Sequence, residues 1–164
     1  MRMAPSSGRR SKMPPFAPMR SKVPRPALLL GFAGLIPPVF LTGVALFEVG
    51  LFAPSTPGFV RTYAAIILSF LGGSWWAFAA REERPSWLLL GIAVLPALAG
   101  WTAIFWFKPP EAMFGLAVLL VAALAVDAWL TARRLAPRWW MRLRVPLSAG
   151  LALCCTLSGW VLTR

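Results

Sequence analysis

The amino-acid sequence predicts an all-α integral membrane protein, a bundle of five transmembrane helices. Three observations predict it. The chain is 59% hydrophobic and only 13% charged, its mean hydropathy is +0.70, and its apolar residues fall into five runs parted by short polar breaks. An ordinary soluble domain is about 25% charged. A chain of 164 residues also exposes too much of its area to hide so much apolar surface from water, and hydrocarbon removes that conflict.

Residues 1–25 precede the first run. They carry Arg2, Arg9, Arg10, Lys12, Arg20, Lys22 and Arg25, no acid, and prolines at 5, 14, 15, 18 and 24. Proline at that density forbids a regular helix, which predicts a disordered basic tail. Arg9-Arg10 has the form of a twin-arginine signal, but no short apolar stretch with a small-residue cleavage site follows. The prolines likewise argue against the amphipathic helix of a mitochondrial presequence.

The first run, 26–53, exceeds the ~20 residues that cross the hydrocarbon layer, so a tilt or kink is expected. Pro37 and Pro38 supply the kink, because each lacks the N–H that would reach the carbonyl of Ala33 or Gly34. The second run covers 59–80. The third, 86–107, contains Pro96; the fourth covers 112–132 and the fifth 145–163. Short connections predict that consecutive helices pack as antiparallel neighbours within one domain over 26–164.

Charge sets the orientation. With the tail in the cytoplasm, that side also receives Arg81, Arg84, Arg133, Arg134, Arg138, Arg142 and Arg144, giving fourteen basic residues. The opposite side holds Arg61, Lys108 and Arg164. The positive-inside rule therefore places the N-terminus in the cytoplasm and the C-terminus outside. Trp87, Trp129, Trp139 and Trp140 fall near the inner boundary and Trp106 and Trp160 near the outer one, as expected of aromatic belts. Trp75, Trp76 and Trp101 lie deeper and are expected to fill the bundle. The arginine-rich stretch 133–144 is expected to lie along the inner surface.

The composition also narrows the chemistry. The chain has no histidine, which removes a serine–histidine triad, the usual proton shuttle and histidine ligation of metal or haem. Its two cysteines, Cys154 and Cys155, are adjacent in an apolar run and read as small packing residues. No cofactor motif and no metal-ligand cluster occur. The net charge of +12 sits at the ends of apolar runs and not on a soluble basic face with aromatics, so nucleic acid is not an expected partner.

The second run carries a recognisable pattern: Tyr63-Ala64-Ala65-Ile66-Ile67-Leu68-Ser69-Phe70-Leu71-Gly72-Gly73, with Trp76 three residues on. It resembles the signature of domain-of-unknown-function family 3429, small multi-pass membrane proteins. Gly31 to Pro37, Pro96 with Trp101, Asp127, and Pro137-Arg138-Trp139-Trp140 followed by Leu143-Arg144 extend the resemblance from the first run into the fifth. Trp75 stands where the resemblance leads one to expect histidine. The resemblance implies the same multi-pass architecture in a bacterial inner membrane, or alternatively a mitochondrial one. It brings no activity.

Few residues offer chemistry. Asp127 is a carboxylate inside an apolar run, which is costly and therefore a candidate functional group; arginines such as Arg81 or Arg144 are within its expected reach. Glu48 and Arg61 flank a short outer connection and are expected to pair across it. Ala65, Ser69, Gly72 and Gly73, then Trp76, and on the fifth run Ser148, Ala152, Cys155 and Gly159, form small faces that let helices approach closely. Proline-freed carbonyls at Pro37-Pro38 and Pro96 are either tolerated kinks or an ion site.

With no catalytic constellation and one deep acid, the sequence points to a non-enzymatic membrane protein that works as a partner-binding, assembly or accessory factor. Its expected partners are the lipid bilayer, anionic lipid at the basic cytoplasmic face, and another membrane protein or further copies of itself. The alternative is a small homo-oligomeric transporter or channel that uses Asp127.

Overall fold

The computed structural model describes residues 22–164; most of the stretch expected to be a disordered tail, residues 1–21, lies outside the described residues. Every regular element among the described residues is helical: α1 (Arg25–Ala33), α2 (Ile36–Leu46), α3 (Thr56–Ala79), α4 (Trp87–Phe105), α5 (Pro109–Ala132) and α6 (Trp140–Val161), with a single 3-10 turn at Ala53–Ser55. Taken with α1 and α2 as one span, five helices are long and apolar enough to cross a membrane. A 24-residue helix such as α3 or α5 rises about 36 Å, more than the ~30 Å of hydrocarbon.

The first span breaks where proline dictates. The helix pauses at Gly34 and Leu35, and Pro37 then stands in the first turn of α2, where the missing N–H has no helical partner to lose. The span ends at Leu46 and not near 53. Phe47 terminates it and Glu48 adopts a left-handed backbone (φ 52°), while the Val49 N–H bonds back to the Val44 carbonyl at 3.2 Å. That is the pattern of a helix C-terminal turn.

Close approaches fix the packing. Gly72 of α3 lies so near α4 that a Cβ there would overlap the Ala93 carbonyl oxygen, and Gly100 of α4 lies against Ala65. These two contacts, run in opposite order along the chain, make α3 and α4 antiparallel. Gly159 of α6 packs on Met113 and Phe114 of α5, while Asp127 meets Arg144, so α5 and α6 are antiparallel too. Those pairs form the largest interfaces, and α2 lies across α3 and α6. Thr42 and Ser158 share a hydrogen bond of 3.1 Å there. Leu68, Leu71, Met113, Leu116, Leu120 and Leu130 fill the centre.

Three expectations are corrected by this packing. Of the predicted small face on α3, Gly72 and Ala65 are buried, but Ser69, Gly73 and Trp76 face outward; helical periodicity puts Gly73 about 100° round from Gly72. Trp75 fills the bundle at 2% exposure, whereas Trp76 and Trp101 are half exposed. The stretch 133–144 is not a surface segment throughout: α6 begins at Trp140, and Arg144 is a buried residue of that helix. The face Ser148, Ala152, Cys155 and Gly159 is buried as expected.

A candidate site at the Asp127 carboxylate

Asp127 lies five residues before the end of α5, Arg144 four residues after the start of α6, and Trp75 four residues before the end of α3. At 1.5 Å of rise per residue all three stand ~6–8 Å inside the same end of the bundle. The antiparallel packing then brings them together. Trp140, one turn before Arg144, sits on the same face of α6.

The carboxylate is fully buried and its two oxygens take donors from two other helices, α3 and α6. Oδ1 accepts the indole N–H of Trp75 at 2.8 Å and that of Trp140 at 2.7 Å. Oδ2 accepts from Nε of Arg144 at 2.9 Å. Thr131 holds the backbone, donating its hydroxyl to the Asp127 carbonyl at 2.8 Å. Phe78 braces Trp140 edge-on, with ring centroids 5.2 Å apart. A charge stripped of water is tolerated only when paired and hydrogen-bonded, and donors to an ionised oxygen form the stronger class of hydrogen bond. Asp127 has both.

The structure thus selects Arg144 and not Arg81 as the partner of Asp127; Arg81 is exposed in the following loop. The sequence places Trp75 within the bundle and Trp140 at the inner boundary but does not identify either as a donor to Asp127. Their signal was matching depth: an N–H-bearing ring one turn from the end at which a deep acid and an arginine also sit. Trp75, at the position where histidine was expected, still presents a ring N–H.

The other candidates separate. Among the described residues no ion pair joins Glu48 to Arg61. The left-handed turn at Glu48 leaves its side chain exposed, while Nε of Arg61 is buried without a hydrogen-bond partner. Tyr63 has a definite role: its hydroxyl donates to the Gly34 carbonyl, the one that Pro38 leaves without a helical N–H. The freed carbonyl is therefore satisfied by a neighbouring helix. Among the described residues no three histidine, cysteine or acidic side chains come together as a metal site would require.

Beside the charged cluster lies an apolar cleft of about 510 Å³ between α1, α3 and α6, with Leu120 of α5 at its floor. Arg144 and Ser148 belong to its wall. Both are buried, at 5% and 1% exposure, and each keeps a buried polar atom, Nη2 and Oγ, without a protein partner.

Comparison with known proteins agrees with this architecture. The family model described as Protein of unknown function (DUF3429) matches residues 23–159. Transmembrane protein 69 of Xenopus tropicalis is 36% identical over 129 residues, which is 76% of this chain and 50% of that protein. Its namesake from Mus musculus is 32% identical over 129 residues, 74% of this chain and 50% of that protein. The chain spans about half the length of these curated relatives. No solved structure matches it.

Proposed function

We propose, from the premise that this chain belongs to the DUF3429 family of multi-pass membrane proteins, that it is a non-enzymatic membrane protein acting through contacts with another membrane component, as an assembly or accessory factor does. The observation that carries this reading is the contrast between its one deep acid and its first span. Both oxygens of Asp127 already accept from Trp75, Trp140 and Arg144, and the fully buried carboxylate is held as a structural ion pair is. The first span is the least packed: α1 has no buried residue and α2 has Pro38, Thr42 and Ala45, whereas α6 alone buries nine. Ile36, Val39 and Phe40 face outward from α2. A face so lightly packed suits a partner helix, which in hydrocarbon associates through close packing and not through the hydrophobic effect.

The seat in the membrane follows from charge. Lys22 precedes α1 and Arg25 opens it, Arg81 and Arg84 follow α3, and five arginines lie between the end of α5 and the first turns of α6. All sit at one end of the bundle, which we assign to the cytoplasmic face of a bacterial inner membrane, or the corresponding face of a mitochondrial one. A reporter active only outside the cytoplasm, fused after Arg164, is expected to be active; an inactive reporter on an inserted protein reverses the assignment.

The contact reading is tested with a photo-crosslinking residue placed at Phe40 on α2 or at Leu95 on α4, in intact membranes. A discrete crosslinked band from position 40 that is absent from position 95 supports it. Smears of lipid adducts at both positions, combined with proton-linked flux in vesicles that Asp127→Asn abolishes, would transfer the assignment to transport.

A further inference from the structure

The cleft between α1, α3 and α6 has a polarity gradient that no packing role requires. Its deeper walls are mostly apolar, with Leu35, Ile67 and Leu151 among them and the Tyr63 hydroxyl occupied by the Gly34 carbonyl. Toward the basic end it reaches Arg144 and Ser148, one helical turn apart on α6, each nine-tenths or more buried and each with an unpartnered polar atom. At the mouth stand Trp139 and Ala27. Exposed Arg138 precedes the one, and exposed Lys22 and Arg25 precede the other.

The Arg144 Nη2 can only donate and the Ser148 hydroxyl can donate as well as accept, so an occupant that satisfies both brings an acceptor. The charge of Arg144 is already matched by Asp127. A second anion at that depth would be uncompensated, whereas a neutral carbonyl oxygen satisfies the donors without adding charge. The cations for an anion are instead at the mouth. Arg144 and Ser148 lie about 6 and 12 Å below Trp140 along the helix axis, and tryptophan rings sit at headgroup depth. A carbonyl just beneath a phosphate and above an acyl chain is the chemistry of a glycerophospholipid. A volume of about 510 Å³ lies within the range of ligand cavities.

We infer that this cleft holds one acyl chain of an anionic glycerophospholipid, with an ester carbonyl accepting from Arg144 and Ser148 and the headgroup between Lys22, Arg25 and Arg138. The site is independent of the contact role proposed above: it lies on the inner side of α1, whereas the partner face is the outer side of α2.

Native mass spectrometry of the full chain, released from detergent after incubation with defined lipids, tests it. Phosphatidylglycerol is expected to be retained in preference to phosphatidylcholine of the same chains. The dialkyl ether analogue of phosphatidylglycerol, which lacks ester carbonyls, is expected to bind about three- to tenfold more weakly, the worth of one net hydrogen bond. Ser148→Ala is expected to lower retention of the diester by a similar factor and to leave the diether unchanged. Ser74→Phe, which fills the cleft from α3, is expected to abolish the adduct. Equal retention of diester and diether by the wild-type protein would overturn the proposal without any variant. So would an adduct that survives Ser74→Phe, or a dimer in place of the lipid, since the cleft would then seat a second copy.

Discussion

Trp75 on α3 donates its indole N–H to the carboxylate of Asp127 on α5 across 2.8 Å, although 52 residues separate them in the chain. The bond ties α3 to the α5–α6 pair near the end of the bundle where most of the basic residues collect. The ring is 2% exposed, so its apolar body and its one donor both matter. Two substitutions separate these contributions. Trp75→Phe keeps more of the volume and loses the N–H, leaving Oδ1 with Trp140 alone. Trp75→His loses more volume and keeps a ring N–H. If the donor dominates, as roughly 1–3 kcal/mol for an under-satisfied buried group suggests, thermal unfolding in detergent will show the histidine variant to be the more stable. A more stable phenylalanine variant would make Trp75 a space-filling residue.

The Asp127–Arg144 pair yields a sharper test. Removing one member of a buried pair leaves the other charge uncompensated, at a cost of about 3–5 kcal/mol, whereas replacing both by apolar residues is often neutral. Asp127→Asn and Arg144→Met are each expected to lower the melting temperature strongly. The double variant Asp127→Leu, Arg144→Met is expected to recover only part of the loss, because the indole N–H groups of Trp75 and Trp140 then lose their acceptor at about 1–3 kcal/mol. Should Asp127→Asn melt like the wild type, the charge of the carboxylate is not needed to hold the bundle.

How far the sequence reveals this arrangement depends on whether a feature belongs to one helix or to several. The five apolar runs are properties of single segments, and hydropathy finds them. The break at Gly34–Leu35 follows from Pro37 and Pro38, although its position required knowing that proline is tolerated in the first turn of α2. The start of α6 is intermediate. The depth of Asp127 offers Arg81 and Arg144 alike as partners, and only the packing of α5 on α6 selects Arg144 and makes it acceptable inside. Glu48 and Arg61 show a failure, since proximity along the chain suggested a pair that the left-handed turn at Glu48 does not make. Tyr63 was legible as part of a motif but not as the donor that satisfies Gly34.

That donor role predicts a coupling between two helices. In hydrocarbon a backbone carbonyl without a partner is costly, and Pro38 creates one at Gly34. Tyr63→Phe removes the hydroxyl that satisfies it and is expected to destabilise the protein by about 1–3 kcal/mol. Pro38→Ala restores an N–H four residues after Gly34. In that background Tyr63→Phe is expected to cost much less, so a double-mutant cycle read by thermal unfolding should show a coupling of order 1 kcal/mol. Additive effects would mean that the hydroxyl does not stand in for the missing N–H.

Gly72 and Gly73 are adjacent, chemically identical and predicted to behave oppositely. A methyl group at Gly72 would run into the Ala93 carbonyl, with Pro96 close behind, whereas nothing lies within 4 Å of one added at Gly73. Backbone does not yield as a flexible side chain does, so Gly72→Ala must move α4 away from α3 or bend one of them. Overpacking of this kind typically costs about 1–3 kcal/mol, and here it would also loosen the contact of Gly100 with Ala65 two turns along the same face. Gly73→Ala should be neutral or slightly stabilising, since alanine favours the helix over glycine by about 1 kcal/mol. The two single variants, compared by melting temperature and by the rate at which cysteines placed on facing positions of α3 and α4 form a disulfide, decide the matter. Equal behaviour of the two would place the α3–α4 contact on a different face from the one described.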